Sequence, residues 1–121
     1  MTVSYQQFFD SAEALVLKNQ KGKEIDFRNS ISRAYYALFL KAREIAEKLP
    51  NPPEKLKSHE KVIRQFELHQ KLKHFAPVIT QRKLKRCNAD YDTHLTISHA
   101  DAENHYKSVK SLLEKLDKVK I

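Results

Sequence analysis

One glycine, Gly22, stands in 121 residues, and no other feature narrows the possible folds of this chain as much. Tight β-hairpin turns and phosphate-cradling loops rely on glycine for backbone angles that other residues resist. A chain with one glycine cannot build many of either, so a P-loop is excluded and a helical protein with few tight turns is expected. Three of the four prolines sit together in PNPP, Pro50 to Pro53, and the fourth is Pro77. They stop helices rather than shape a sheet, because proline lacks a backbone donor and restricts the residue before it.

The apolar periodicity agrees. Ser4 and Gln7 form a capping-box pattern, after which Tyr5, Phe8, Phe9, Ala12, Leu15 and Val16 recur at three- and four-residue steps. This first helix ends in the polar stretch 19–23. A second helix starts near Asp26 and puts Ile31, Ala34, Tyr35, Leu38, Ala42, Ile45, Ala46 and Leu49 on one face. It spans about two dozen residues, or ~35 Å at the standard rise. A third starts after Ser58, carries Val62, Ile63 and Phe66, and fades near His74. Pro77 suits the first turn of a fourth, which runs through Val78, Ile79, Leu84 and Cys87 toward Tyr91. Ser98 and Asp101 cap a fifth, with Ala102, Tyr106, Val109, Leu113 and Leu116 on its apolar face. The expected fold is all-α: one domain over residues 1–121, an up-and-down antiparallel bundle of four to five helices.

A chain of this length buries roughly two-thirds of its unfolded surface and needs neither disulfide nor metal to fold. Its one cysteine, Cys87, has no partner, and MTVSYQQFF carries no signal-peptide pattern, so a reducing cytoplasm is expected. No apolar run approaches the ~20 residues of a membrane span. His94, His99 and His105 do not share a helical face and no Cys or carboxylate cluster joins them; no metal or cofactor is expected.

The net charge of +8 is concentrated. Residues 1–49 hold eight Lys/Arg against six Asp/Glu, residues 50–88 ten against three, and residues 89–121 five against six. Lys55, Lys57, Lys61, Arg64, Lys71, Lys73, Arg82, Lys83, Lys85 and Arg86, with His59, His69 and His74, would form one positive surface if the third and fourth helices are neighbours. Such a field attracts phosphate backbones without reading sequence; it equally describes a solubilising surface or a dock for an acidic protein.

Three motifs in order carry a family likeness. SRAYYALF on the second helix, Ser58–His59 opening the third and LKRCNADYD closing the fourth resemble the HEPN superfamily. More narrowly, they resemble its small stand-alone members, in which an AYYA-F helix precedes an R-x-x-A-D-Y segment. The likeness covers residues 5 to 118. It implies a helical bundle that often dimerises, and RNA cleavage or nucleotide-related binding in prokaryotic toxin–antitoxin or defence systems. It also implies a small nucleotidyltransferase as a partner protein. Ribonucleases of the family carry an arginine followed after four to six residues by a histidine, and direct the ribose 2′-hydroxyl onto the adjacent phosphate without metal.

Here Arg86 is followed after four residues by Tyr91, a poor base at neutral pH because its ordinary pKa is near 10. His94 lies just beyond the family window, and it lines up with Arg86 and Asp90 only if the fourth helix continues past Asp92. The candidate catalytic set is therefore Arg86, Asp90, Tyr91 and His94, a degenerate version of a metal-independent endoribonuclease site. Candidate phosphate-binding residues are Arg33, Tyr36, Arg82, Lys83 and Lys85. Arg86 and Asp90 also read, and more simply, as an i, i+4 ion pair that fixes helix register, reinforced by Arg33. Asn29, Arg33, Tyr36 and Arg43 form a stripe on the second helix that could face Arg86, Asp90 and Tyr91 as a polar seam. The competing function is a non-catalytic module that docks the nucleotidyltransferase.

Overall fold

The computed structural model describes residues 3–19 and 21–121. Its helices are α1 (Tyr5–Val16), α2 (Glu24–Ala46), α3 (Ser58–Glu67), α4 (Ala76–Tyr91) and α5 (His99–Asp117), with a single 3₁₀ turn, Lys73–Phe75, leading into α4. The protein is an all-α bundle, and among the described residues there is no strand. No helix of the described residues is long and apolar enough to cross a membrane.

Local sequence sets the helix starts. The Ser4 amide donates to Gln7 Oε1 at 2.9 Å, the Lys23 amide to Asp26 Oδ2 at 3.1 Å, and Ser98 and Asp101 exchange bonds of 2.9 and 3.1 Å. Each pairing satisfies a helix donor that would otherwise be orphaned. Pro77 lies in the first turn of α4.

The helix ends are set from a distance. Without glycine caps, carbonyls at three C-termini are bonded by side chains from other helices. His99 Nε2 of α5 donates to the Val16 carbonyl of α1 at 2.8 Å. Gln65 Nε2 of α3, buried, donates to the carbonyls of Ala46 and Pro50 at 3.1 and 3.0 Å. Arg28 of α2 donates to the carbonyls of Ala89 and Asp92 at 3.0 and 2.9 Å, and to that of Leu95, where α4 has ended. Each neutral bond contributes about 1 kcal/mol and the charged one about 2. Gly22 takes no left-handed backbone; a Cβ there would lie 2.5 Å from Asn19 Nδ2 and 3.0 Å from the Asn19 carbonyl oxygen, so a larger residue would have to displace the Asn19 side chain.

Helix α2 is the axis of the fold and packs against α1, α3, α4 and α5. Ala34, Ala37, Leu38 and Ala42 are fully buried along it, the small side chains letting neighbouring helices come close. Tyr5 meets Lys41 while Ser30 bonds the Ala12 carbonyl, so α1 runs antiparallel to α2. Arg28 reaches the Asp92 carbonyl at the end of α4 while Ser32, one turn further along α2, bonds Asp90, so α4 does as well. Phe27 meets His99 and Lys41 pairs with Asp117, so α5 runs along α2. The four long helices thus alternate direction as expected. Helix α3 is the departure: His59 touches Tyr35 and Phe39, and Gln65 touches Ala46 and Pro50, so α3 runs alongside α2 in the same direction. The proline-rich stretch 50–57 makes this possible by carrying extended chain back along α2 before α3 begins.

Candidate functional site

Helix α3 begins with Lys57 in extended backbone as its N-cap and Ser58 as its first residue. That start aims His59, the second residue, inward at α2. Its ring stacks on Phe39 with centroids 3.9 Å apart and planes at 18°, and its Nδ1 lies 2.7 Å from the Tyr35 hydroxyl. Tyr35 is 1% exposed, and burial holds its hydroxyl well above the ordinary phenol pKa, so it stays protonated. His59 is half-buried. Burial first, then the charges of Lys83 and Arg86, hold it below the ordinary histidine range, with Arg43 adding and Glu60 opposing. The imidazole is therefore neutral at pH 7. Its Nε2 makes no hydrogen bond among the described residues and is the ring atom left for a ligand: a base in one tautomer, a donor in the other.

Helix α4 faces this pair with Lys83, Arg86 and Asp90, whose spacing puts them on one side. Lys83 Nζ pairs with Glu60 Oε1 at 3.2 Å. The Glu60 carboxyl is held below its usual range by its own backbone amide and by Lys83. Arg86 Nε pairs with Asp90 Oδ2 at 2.9 Å, and the Ser32 hydroxyl donates to the same carboxylate oxygen at 3.2 Å. The Arg86 guanidinium also lies over the Tyr91 ring, 5.9 Å from its centroid, and Tyr91 is 73% exposed at the last turn of α4.

The polar seam therefore forms one residue away from its expected register. Arg28, Ser32, Tyr35 and Phe39, at i, i+4, i+7 and i+11 on α2, face α3 and α4. Arg33 turns instead to α1, donating to Ser11 Oγ at 2.7 Å, and Tyr36 packs on Phe8 with centroids 5.0 Å apart. One residue is a 100° rotation, and the apolar face of α2 is wide enough that sequence alone does not choose which tyrosine points at α4. The expected reinforcement of Arg86 and Asp90 by Arg33 is thus supplied by Ser32. The line Arg86–Asp90–His94 does not form either. Arg28 takes the last α4 carbonyls, Asp92 leaves helical backbone, and His94 is exposed in the loop with its amide on Asp92 Oδ1 at 3.1 Å.

Arg82 and Lys85 stand on the other flank of α4, away from His59, and line a cleft with His105. Of the expected phosphate-binding set, Lys83 alone joins Arg86. The basic middle third is partly self-neutralised: Arg64 pairs with Glu54 and Glu67, and Lys83 with Glu60, so all three acidic residues of 50–88 are engaged. Lys55, Lys57, Lys61, Lys71, Lys73, Arg82 and Lys85 are in no ion pair among the described residues. Cys87 is free and half-buried on α4. Among the described residues no three His, Cys, Asp or Glu side chains come together as a metal site.

Tyr35 and His59 were not in the expected site. The signal was present in the Ser58–His59 pair, but its meaning depends on α3 running along α2. No protein-family model, curated protein or solved structure matches this chain.

Proposed function

We propose that this chain is a HEPN-type domain that binds single-stranded RNA or a nucleotide on the face shared by α3 and α4. The setting proposed is a prokaryotic toxin–antitoxin or defence system, in the cytoplasm and as a homodimer. The observation that carries the reading is His59, bonded to Tyr35 on the side of α3 whose next residue, Glu60, pairs with Lys83 of α4, and kept neutral by burial and by the field of Lys83 and Arg86. A proton-handling imidazole next to two cations is the minimum needed for transesterification of RNA without metal. In this reading His59 supplies what the arginine motif lacks. The 2′-hydroxyl attacks the adjacent phosphorus and its proton passes to His59 Nε2. Arg86 and Lys83 offset the charge that builds on the non-bridging oxygens, and the P–O5′ bond breaks as the 5′-oxygen takes a proton from solvent. The products are a 2′,3′-cyclic phosphate and a free 5′-hydroxyl. Exposed Tyr91 offers a flat ring on which a base can stack.

The test is cleavage of a panel of single-stranded RNAs in EDTA. Wild type is expected to cut, with His59→Gln and Arg86→Ala each slower by about 100-fold. No cleavage by wild type on any substrate removes the enzymatic reading and leaves binding, which is expected to weaken steeply with added salt.

One observation favours the second reading, a non-catalytic module docking a partner such as a small nucleotidyltransferase. Arg86 is already paired with Asp90, which Ser32 holds, while Leu84 and Tyr91 project from α4 58% and 73% exposed. A saturated arginine beside exposed apolar groups suits a protein interface. Native co-purification with a stoichiometric protein and no RNA would support this reading against the first.

A further inference from the structure

The opposite flank of α4 borders a cleft of about 290 Å³, closed by Ile31 of α2, the 95–97 segment and the first turns of α5. Its wall holds an arginine unlike the others around it. Arg28, Arg64 and Arg86 each pair with carboxylates, whereas Arg82, like Arg33 and Arg43, is in no ion pair among the described residues, and of these arginines it is Arg82 that also buries an unpartnered nitrogen. Its Nη1 donates to His105 Nδ1 at 3.2 Å, its Nη2 donates to Gln81 Oε1 at 3.4 Å, and its buried Nε has no partner among the described residues. Burial alone lowers its pKa, without removing its charge.

His105 cannot neutralise it. The ring is 2% exposed, and burial, with Arg82 next, drives its pKa down to about 3. It is a neutral acceptor at Nδ1, and the Ile31 backbone beside the ring partly opposes the fall in its pKa. A half-buried cation resting on a neutral ring leaves its charge unmatched and its buried Nε without a partner, an arrangement that an anion would relieve. Lys85, one turn along α4, lines the same cleft and is likewise in no ion pair among the described residues. Asn88, Thr96 and Asn104 add neutral hydrogen-bonding groups. Asp101 is the one carboxylate in the lining; its Oδ2 accepts the Ser98 amide at 2.9 Å. It opposes a long polyanion and can accept from a hydroxyl. The volume is at the small end for ligand sites.

We propose that this cleft binds a small phosphate monoester of sugar-phosphate size. The phosphate lies on Arg82 and Lys85, and the hydroxyls of its body lie on Asn88, Thr96 and Asn104. The guanidinium fork and the lysine ammonium suit a dianionic group better than a single carboxylate, and the amides suit a polyol. This site is independent of the α3–α4 face and stands whether or not RNA binds there.

The experiment titrates the full chain with ribose 5-phosphate and with inorganic phosphate at constant ionic strength. It follows the imidazole nitrogen resonances by NMR and heats by calorimetry. Ribose 5-phosphate is expected to saturate with sub-millimolar affinity, to move the His105 signals and to leave those of His59 in place. Inorganic phosphate is expected to bind the same site about tenfold more weakly. Lys85→Gln and Asn104→Asp, both at exposed positions that leave the fold intact, are each expected to weaken binding about tenfold. Lys110→Gln, which removes the same charge elsewhere on α5, is expected to change nothing. No saturable shift at His105 up to roughly 10 mM would overturn the site. So would equal affinity in the Lys85 and Lys110 variants; equal affinity for the two probes would overturn the sugar-phosphate assignment.

Discussion

The two flanks of α4 are built from neighbouring residues and carry opposite electrostatic solutions. On one, Lys83 and Arg86 are matched by Glu60 and Asp90 and stand before a half-buried histidine bonded to tyrosine. On the other, Arg82 has no carboxylate partner among the described residues and leans on a buried histidine. The first flank contains the arginine the sequence singles out, yet it is the second that holds a cation unmatched among the described residues. A cation's presence in a motif therefore says little about whether it is available, because that depends on carboxylates brought in by other helices.

The largest test of this contrast acts on the end both flanks share. Arg28→Ala removes the bonds that terminate α4 and breaks its 2.9 Å pair with Glu24, and it should destabilise the protein by about 3 kcal/mol in urea unfolding. If stability is unchanged, the helix end is not held from α2 and the positions of Tyr91 and His94 need another cause.

Next in size is the pH dependence of the two histidines. Both are depressed below the unfolded value near 6.5, so the unfolded chain binds more protons on acidification. The stability they contribute is full above pH 6.5 and is lost as pH falls. For His105 the loss continues down toward about 3. His105→Gln should therefore flatten the fall in unfolding midpoint between pH 6.5 and 4, and His59→Gln should flatten it less. Equal slopes in the two variants would erase the distinction between a buried and a half-buried ring.

The smallest effect separates the arginines themselves. Arg86→Met strands Asp90 at the protein surface and should cost about 1 kcal/mol, discounted for the partial exposure of both partners. Arg82→Met removes an unmatched desolvated charge and should be close to neutral, within about 0.5 kcal/mol. Equal losses in chemical denaturation would mean that Arg82 is as well paired as Arg86.

Much of the architecture was readable along the chain because its causes are local. Ser4 with Gln7, Ser98 with Asp101 and Pro77 mark helix starts by interactions spanning three residues or fewer, and the apolar steps of Ile31, Ala34, Tyr35 and Leu38 mark a buried face. The Arg86–Asp90 pair was readable for the same reason. Arg28, Gln65 and His99 as helix-end caps were not, since each bonds carbonyls from 15 to 83 residues away. Nor was the choice of Ser32 and Tyr35 over Arg33 and Tyr36, which a rotation of one residue reverses.

The sequence by itself determined a glycine-poor all-helical bundle, its helix starts and the concentration of positive charge around α3 and α4, because propensity, capping and charge count act over a few residues. Only the tertiary structure decided that α3 follows α2, that His59 meets Tyr35, and that Arg86 is matched where Arg82 is not. Those outcomes depend on which side chains distant segments bring within hydrogen-bonding reach, and bond lengths of about 3 Å resolve differences that helical periodicity, at 100° per residue, does not.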